Sequence, residues 1–399
     1  MKLSSLSTAL LLVTLASGSA QATSYLAMTD RALFEQAPVV AQVSVLSVGP
    51  APAQGVPSID YIVVVERLLK GKIAGSTVVV RVAGGLGPDG WGLEVVGAPA
   101  FDAGDRALLF LVPRRDGTYG ILHMMLGAFH EFTLGDQHLA LRDLQEVRHL
   151  ETGDAASKPS TALARDFQSF ADWLATGAED DSSYWVPVSE RRLDRWREAF
   201  AHLRRERRHL RWFGDEVEWQ LGRPAPAGSR RLLKDALRAW SELAGLSLAY
   251  GGSTEVDAGL TTFDGLNVVS FDDPEEVIPG TFSCRLGGVV AVGGPWFDPE
   301  ITDRREPGAG SEIAIRILGA DIVLNDGAKC LLDGFPSLAR EALMHELGHT
   351  LGLGFACGDG LEGRCDEAHD ASVMRFFLHT DSQPHRPSER ERDALRHQR

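Results

Sequence analysis

Residues capable of metal-assisted hydrolysis lie together in one short stretch near the C-terminal end of the chain. The stretch His345-Glu346-Leu347-Gly348-His349 places two histidines four positions apart. On a helix, residues at that spacing share one face, so both imidazoles can reach one metal ion. Glu346 follows the first histidine directly, and its carboxylate can take a proton from a metal-bound water. Zinc lowers the pKa of such a water to roughly 7, which makes a hydroxide-like nucleophile available at neutral pH.

A single helix must hold the two histidines on one side. The pattern predicts that this helix starts near Ser337, after Pro336, and that Gly352 lets the chain turn back towards the metal. The residues on the predicted stripe are Leu338, Ala342, His345 and His349.

Further along the chain, Ser372-Val373-Met374 predicts a tight turn that places a methionine under the histidines. With this turn, the sequence resembles the metzincin metallopeptidases, and their matrixin-like branch most closely. The family pattern is His-Glu-x-x-His-x-x-Gly-x-x-His followed by a Met-turn. The matching positions are His345, Glu346, His349, Gly352 and Met374. The resemblance implies a zinc endopeptidase in which the two histidines bind the metal and Glu346 is the general base.

One position departs from that pattern, because the family's third zinc ligand falls on Phe355, and phenylalanine cannot bind a metal. Catalytic zinc usually has three protein ligands and an open position, so another residue must substitute or metal binding is weak. The candidates downstream are Asp359, Asp366, His369 and His379. We favour His369, since a neutral imidazole suits zinc and the residue precedes the Met-turn. The resemblance implies one catalytic Zn²⁺ ion, and a structural Ca²⁺ ion is compatible with it.

Residues 1–22 predict a cleaved signal peptide and therefore an exported chain, either secreted or periplasmic. Residues 9–16 form the apolar core of the signal, with Thr14 as its one polar residue, and Ala20-Gln21-Ala22 has the small residues of a cleavage site. No later apolar run approaches the ~20 residues needed to span a bilayer. The net charge of −15 argues against a nucleic-acid partner.

The cysteines Cys284, Cys330, Cys357 and Cys365 fit an oxidising compartment. An even number in an exported chain favours disulfides, and four cysteines allow three pairings. We expect Cys357–Cys365 to close a short loop after the metal helix, and Cys284–Cys330 to span the segment before it. The alternative makes Cys357 a thiolate zinc ligand, although oxidation would compete for the thiol.

Residues 23–148 are predicted to form an all-β N-terminal module. Its short apolar runs are separated by Gly and Pro, which is typical of a small barrel or sandwich. The predicted strands include Val39–Val45, Tyr61–Glu66, Ser76–Val82 and Arg106–Val112. Their order resembles OB-like barrels of the netrin or tissue-inhibitor type. The module shows no catalytic constellation, and it could bind a partner, inhibit the protease domain or assist folding.

Residues 149–211 are predicted to be a linker that ends in an amphipathic basic helix. The polar run 151–160 has the composition of a linker, and a short helix is expected after it. Residues 191–211 hold nine arginines against three acidic residues, with apolar residues at helical spacing. We favour packing on an acidic part of the same chain over binding to an anionic surface.

Residues 212–399 follow the order of elements of a metzincin catalytic domain. The predicted elements are strands at 216–221, 246–250, 266–271, 289–292 and 320–325, a helix that Ser229 caps and Gly245 ends, and a last helix at 389–395. The resemblance makes Val289–Val292 the edge strand that pairs with an extended substrate peptide. Residues 298–311 are predicted to be a mobile loop. The predicted fold class is therefore α+β: a small all-β module is followed along the chain by a metzincin-like domain with a twisted mixed sheet and an active-site helix.

These features lead to two expectations about function. The first is an exported zinc metalloendopeptidase that cleaves extended protein or peptide substrates. The second is a metzincin-fold binding protein whose catalysis is impaired because Phe355 replaces the third ligand. The intact Glu346 favours the first, since a binding scaffold does not need that carboxylate.

Overall fold

The structure is a computed structural model, and it describes the following residues: 24–52, 56–87, 90–144, 148–149, 161–177, 183–189, 209–256, 260, 263–304, 313–357, 371–376, 378–379 and 385–398. The predicted signal peptide lies outside these ranges. Among the described residues, none of the helices has the length and apolar character that crossing a membrane requires.

The strands, in chain order, are β1 (Ser24–Leu26), β2 (Val39–Pro50), β3 (Ser58–Lys70), β4 (Thr77–Ala83), β5 (Gly85–Leu86), β6 (Gly92–Leu93), β7 (Arg106–Pro113), β8 (Tyr119–Ile121), β9 (Ala128–Leu134), β10 (Gln137–Leu141), β11 (Arg148–His149), β12 (Thr161–Asp166), β13 (Trp185–Ser189), β14 (His209–Arg211), β15 (Glu216–Gly222), β16 (Ser247–Thr254), β17 (Val268–Phe271), β18 (Gly288–Arg304) and β19 (Ile313–Leu324). The helices are α1 (Asp30–Gln36), α2 (Phe167–Thr176), α3 (Ser229–Ala244), α4 (Lys329–Gly334), α5 (Pro336–Thr350) and α6 (Glu389–Gln398), with a 3-10 turn at Met124–Gly127.

Five strands of the first sheet close into a barrel. The pairs run from β2 to β3, β4, β8 and β7, and β7 pairs with β2 again. Val43, Val63, Val80 and Leu109 are buried in its interior, because alternate residues of a strand point to the same side. The remaining strands of this sheet, β9 to β13, continue outward from β7. The expected β module is thus present as a barrel, although it also carries the helix α1.

The segment expected to be a linker contributes strands to the first sheet. β12 pairs with β10, and β13 pairs with β12. Arg165 of β12 and Tyr184 both donate hydrogen bonds to Asp30 of α1, each at 2.8 Å. The linker was predicted from the polar composition of the run before β12. The buried ion pair between Arg165 and the distant Asp30 leaves no local pattern in the sequence, so these strands were missed. Residues 150–160 and 190–208 lie outside the described ranges, and the end of the predicted basic helix is a strand, β14, rather than a helix.

The second sheet is mixed and carries helices on it, so the fold is α+β as predicted. Its main order is β16, β15, β17, β19 and β18, with all neighbours parallel except the antiparallel pair β18 and β19. Helix α3 packs against α5, where the Trp240 indole donates to the Met344 carbonyl at 2.7 Å. This packing fixes α5, which carries the histidine motif, against the sheet.

Two local predictions in this part of the chain were wrong. The N-cap of α3 is Gly228, and the hydroxyl of Ser229 instead donates to the Pro226 carbonyl at 2.8 Å. Residues 298–304 of the predicted mobile loop belong to β18, because residues such as Thr302 pair with β19 beyond an irregularity in the register, whereas residues 305–311 lie outside the described residues. The Pro and charged residues of this stretch suggested a loop, but they are accommodated in a strand at that irregularity.

The outer edge of β18 is covered by strands from the N-terminal part of the chain. β1 pairs antiparallel with it, with Ser24 opposite Ala291 and Tyr25 opposite Val289. Further along, β6 pairs with it at Trp296, and β5 pairs with β6. One hydrophobic core contains buried side chains from both halves of the chain as a result.

Candidate metal centre

Helix α5 brings the histidine motif into the interior because nearly every side of its second half is covered. His345 and Glu346 have no exposed surface, and His349 is 1% exposed. A glycine at position 348 is required by the packing: a Cβ there would lie 2.4 Å from the Met374 Sδ and 2.6 Å from the Trp240 ring. The methionine of the predicted turn therefore lies directly against α5.

The two imidazoles converge on each other. The Nε2 atoms of His345 and His349 are 2.7 Å apart. The Nδ1 of His345 is 2.6 Å from the Val373 carbonyl, and the Nδ1 of His349 is 2.8 Å from the Leu353 carbonyl. A carbonyl oxygen only accepts hydrogen bonds, so each Nδ1 carries the hydrogen, and in neutral imidazoles both Nε2 atoms are then electron-pair donors. Two such atoms face to face repel each other unless they share a proton or a metal cation, and a tetrahedral zinc about 2.0–2.1 Å from each nitrogen would hold them about 3.3 Å apart. The backbone carbonyls fix the tautomers as in metal-binding histidines.

Burial also favours the neutral form that binds metals. Burial, together with the neighbouring His345, lowers the pKa of His349 well below its usual value. A neutral imidazole is the form that coordinates zinc. These two residues could therefore hold a zinc ion as two of its ligands.

Glu346 lies beside the histidines with both carboxylate oxygens engaged. The Ser24 hydroxyl donates to Oε1 at 2.5 Å, and the Gly293 amide donates to Oε2 at 2.7 Å. Burial raises the pKa of Glu346 to about 8, although the bonds from Ser24 and Gly293 act in the opposite direction. A bound dication would also lower the pKa, because positive charge stabilises the carboxylate.

Phe355 occupies the place next to both histidines. Its ring centroid is 5.5 Å from that of His345 and 5.3 Å from that of His349. Phe376 packs on Phe355 at 4.7 Å, and Tyr25 of β1 stacks on Phe376 at 4.9 Å. Position 355 thus faces the two histidines, but with an aromatic ring that offers no ligand atom.

The other predicted ligands are not brought to the histidine pair. Asp359, Asp366 and His369 lie outside the described residues. His379 lies instead against Glu341, which accepts from its Nδ1 at 2.6 Å and from its backbone amide at 3.0 Å.

Glu341, His379 and His385 form a second group of potential ligands, whose ligand atoms lie within 4.8 Å of one another. The two imidazole rings are stacked, with centroids 3.4 Å apart and planes 12° apart. Ring nitrogens donate electron pairs in the plane of the ring, so stacked rings direct them along parallel lines rather than at one ion. This geometry favours a hydrogen-bonded cluster over a metal centre.

The disulfide Cys284–Cys330 is present, as predicted. Cys357 is disulfide-bonded too, which excludes it as a thiolate zinc ligand. Its predicted partner, Cys365, lies outside the described residues.

Two residues of the site were missed by sequence reasoning, Ser24 and Gly293. Gly293 contributes a backbone amide, which has no signature in the sequence. Ser24 lies far from the motif along the chain, in a strand too short to give an alternating pattern.

Comparison with models of known protein families finds no match, and comparison with curated proteins finds none either.

Proposed function

We propose that the chain is an exported zinc metalloendopeptidase and that the structure represents its closed form. The observation that carries this proposal is the pair of Nε2 atoms of His345 and His349, 2.7 Å apart, with both Nδ1 atoms at backbone carbonyls. The position of Met374 against α5 and the antiparallel strand β18 support the metzincin resemblance. Export rests on the signal peptide predicted at residues 1–22.

His345 and His349 would hold the metal, with a third ligand from outside the described residues or from solvent. When bound, zinc would polarise the peptide carbonyl and lower the pKa of its water. Glu346 would take the proton from the attacking water and then deliver it to the leaving amine. The covered edge of β18 would hold the substrate as an added strand.

A second candidate is a binding protein with this fold but without catalysis. Phe355 favours it, because a ring packed on both imidazoles occupies the place of a ligand. This candidate predicts that the purified chain retains no zinc.

Zinc content and Glu346 separate the two candidates. We expect about one zinc per chain after dialysis, and its loss from the His345→Ala/His349→Ala chain. Glu346→Ala should keep the zinc and slow cleavage of an unstructured protein such as casein by about 100-fold or more. His138→Ala, at an exposed histidine, is the matched control. Equal cleavage by wild type and Glu346→Ala would refute the peptidase mechanism, and failure to bind added zinc would favour the binding protein.

A further inference from the structure

The outer edge of β18 is already occupied by a strand of the same chain. β1 pairs with it antiparallel, over Gly288 to Ala291. An extended peptide that joins the free edge of a sheet makes the same main-chain pairing. β1 therefore lies where a bound peptide would lie, next to the residues of the candidate site.

Ser24 places its side chain directly on the carboxylate of that site. Its hydroxyl is 2.5 Å from Glu346 Oε1 and 3.3 Å from the Ala342 carbonyl, and the residue has no exposed surface. A water acting on a substrate must approach Glu346 within hydrogen-bond distance. The Ser24 hydroxyl takes up that position on Oε1.

Tyr25 connects the same strand to the aromatic residues over the histidines. It stacks on Phe376, which packs on Phe355, and its carbonyl accepts from the Leu378 amide at 3.2 Å. Removal of β1 would uncover Glu346 and one side of this aromatic group together. The closure of the site thus depends on β1.

We propose that β1 is an intramolecular inhibitor of the site, which holds the edge of β18 as a peptide would and sequesters Glu346 through Ser24. An extended peptide with a small hydroxyl residue at the place of Ser24 is the partner that competes with it. The inhibitory role rests on the proposed peptidase function, whereas the occupation of the edge does not. The two can therefore be tested separately in the full chain.

Ser24→Glu is the variant that should release β1, because a longer, charged side chain does not fit the fully buried position of Ser24. Ser24→Thr keeps the hydroxyl and is the matched control. The measurements are hydrogen exchange of residues 287–293, binding of a labelled peptide with the sequence of residues 23–28, and casein cleavage. Exchange of β17, a central strand, reports whether the sheet stays folded.

For Ser24→Glu, we expect exchange at 287–293 to rise at least about tenfold with β17 still protected. The labelled peptide should bind this variant at least about tenfold more tightly than it binds wild type, where tethered β1 competes at a high effective concentration. A scrambled peptide should not bind, and cleavage should rise with the opening. Ser24→Thr should behave as wild type.

If β17 stays protected and neither exchange nor peptide binding changes, the proposal is wrong whatever the cleavage rate. If the peptide binds but cleavage stays absent, β1 occupies the edge as inferred and the peptidase function fails instead. If Ser24→Glu unprotects β17, Tyr25→Ala decides by the same measurements, since it removes the stack on Phe376 without adding a charge.

Discussion

Phe355 is the residue that most affects what the site can bind. Its ring contacts both imidazoles and also Phe376, so it fills space and contributes packing while offering no ligand atom. A metal-binding side chain at position 355 would therefore raise metal affinity, whereas the aromatic ring stabilises the metal-free chain.

Phe355→His should tighten zinc binding and weaken the metal-free fold. Zinc affinity is expected to rise roughly 100-fold, if one ligand carries about a quarter of the free energy of a four-ligand site. The free energy of unfolding without zinc should fall by about 1 to 2 kcal/mol through lost packing. Competition with a chelator and urea unfolding measure the two effects. Phe355→Leu is the control, and equal zinc affinity of the two variants would contradict the expectation.

Gly348→Ala should destabilise the chain through overpacking. The added methyl group would lie 2.4 Å from the Met374 Sδ and 2.6 Å from the Trp240 ring. We expect the free energy of unfolding to fall by about 2 to 3 kcal/mol in urea denaturation. Gly334→Ala, where a Cβ meets no atom within 4 Å, should change it little. A neutral Gly348→Ala would mean that Met374 does not pack closely under α5.

At the scale of elements, His123 links the barrel to β18 of the other sheet. It lies just after β8, its Nδ1 accepts from the Val289 amide at 3.3 Å, and its Nε2 lies 3.0 Å from the Gln36 side chain. Gly288 has no side chain at the point where a Cβ would lie 2.6 Å from the imidazole. The contact therefore depends on a neutral imidazole, since a protonated Nδ1 could not accept from Val289.

Stability should consequently fall in mild acid. Burial lowers the pKa of His123 to about 4. Between pH 6.5 and 4 the unfolded chain takes up a proton at this residue and the folded chain does not, so unfolding is favoured as pH falls. The contribution reaches about 3 kcal/mol at pH 4, at 1.36 kcal/mol per pH unit.

His123→Asn should flatten that pH dependence, and asparagine tolerates the positive φ of 51° at this position. Urea unfolding at pH 7 and pH 4.5 measures the difference for both chains. His138→Asn controls for the removal of a histidine. If wild type and His123→Asn lose the same free energy over this range, His123 does not stay neutral in the folded chain.

Elements with a strong local pattern were predicted well from the sequence. Most of the predicted residues lie in the observed element for the barrel strands β2, β3, β4 and β7 and for the helices α3 and α5. Apolar periodicity and flanking Gly or Pro are local signals, so the sequence reveals them. The strands β1, β5 and β6 were not predicted. They are two or three residues long and depend on distant partners, since β1 and β6 pair with β18 and β5 pairs with β6. The histidine pair followed from spacing, whereas Ser24 required knowledge of this pairing.

At the scale of the whole molecule, the two sheets share one core. Val289 and Trp296 of β18 belong to the same buried cluster as Phe110 and Phe129 of the first sheet. Separate halves would expose these side chains and leave the edge of β18 unpaired. Open apolar edges are prone to aggregation.

Residues 23–190 and 209–399 should therefore give soluble, folded protein when they are expressed together but not when each is expressed alone. We expect the second fragment alone to aggregate and the co-expressed fragments to elute together as one complex in size-exclusion chromatography. A single cut within 191–208 of the intact chain controls for the break itself. A second fragment that is monomeric and well protected from hydrogen exchange would show that it folds independently.

The pairing of β1 with β18 also sets an order of events during synthesis. Ser24 and Glu346 are 322 positions apart, which corresponds to roughly 15 to 65 seconds of translation at 5 to 20 residues per second. All barrel strands are made before β18 and α5. The histidine motif is therefore made well after β1, the strand that covers it. β18 can pair with β1 as soon as it emerges, so its unpaired edge is exposed to other chains only briefly.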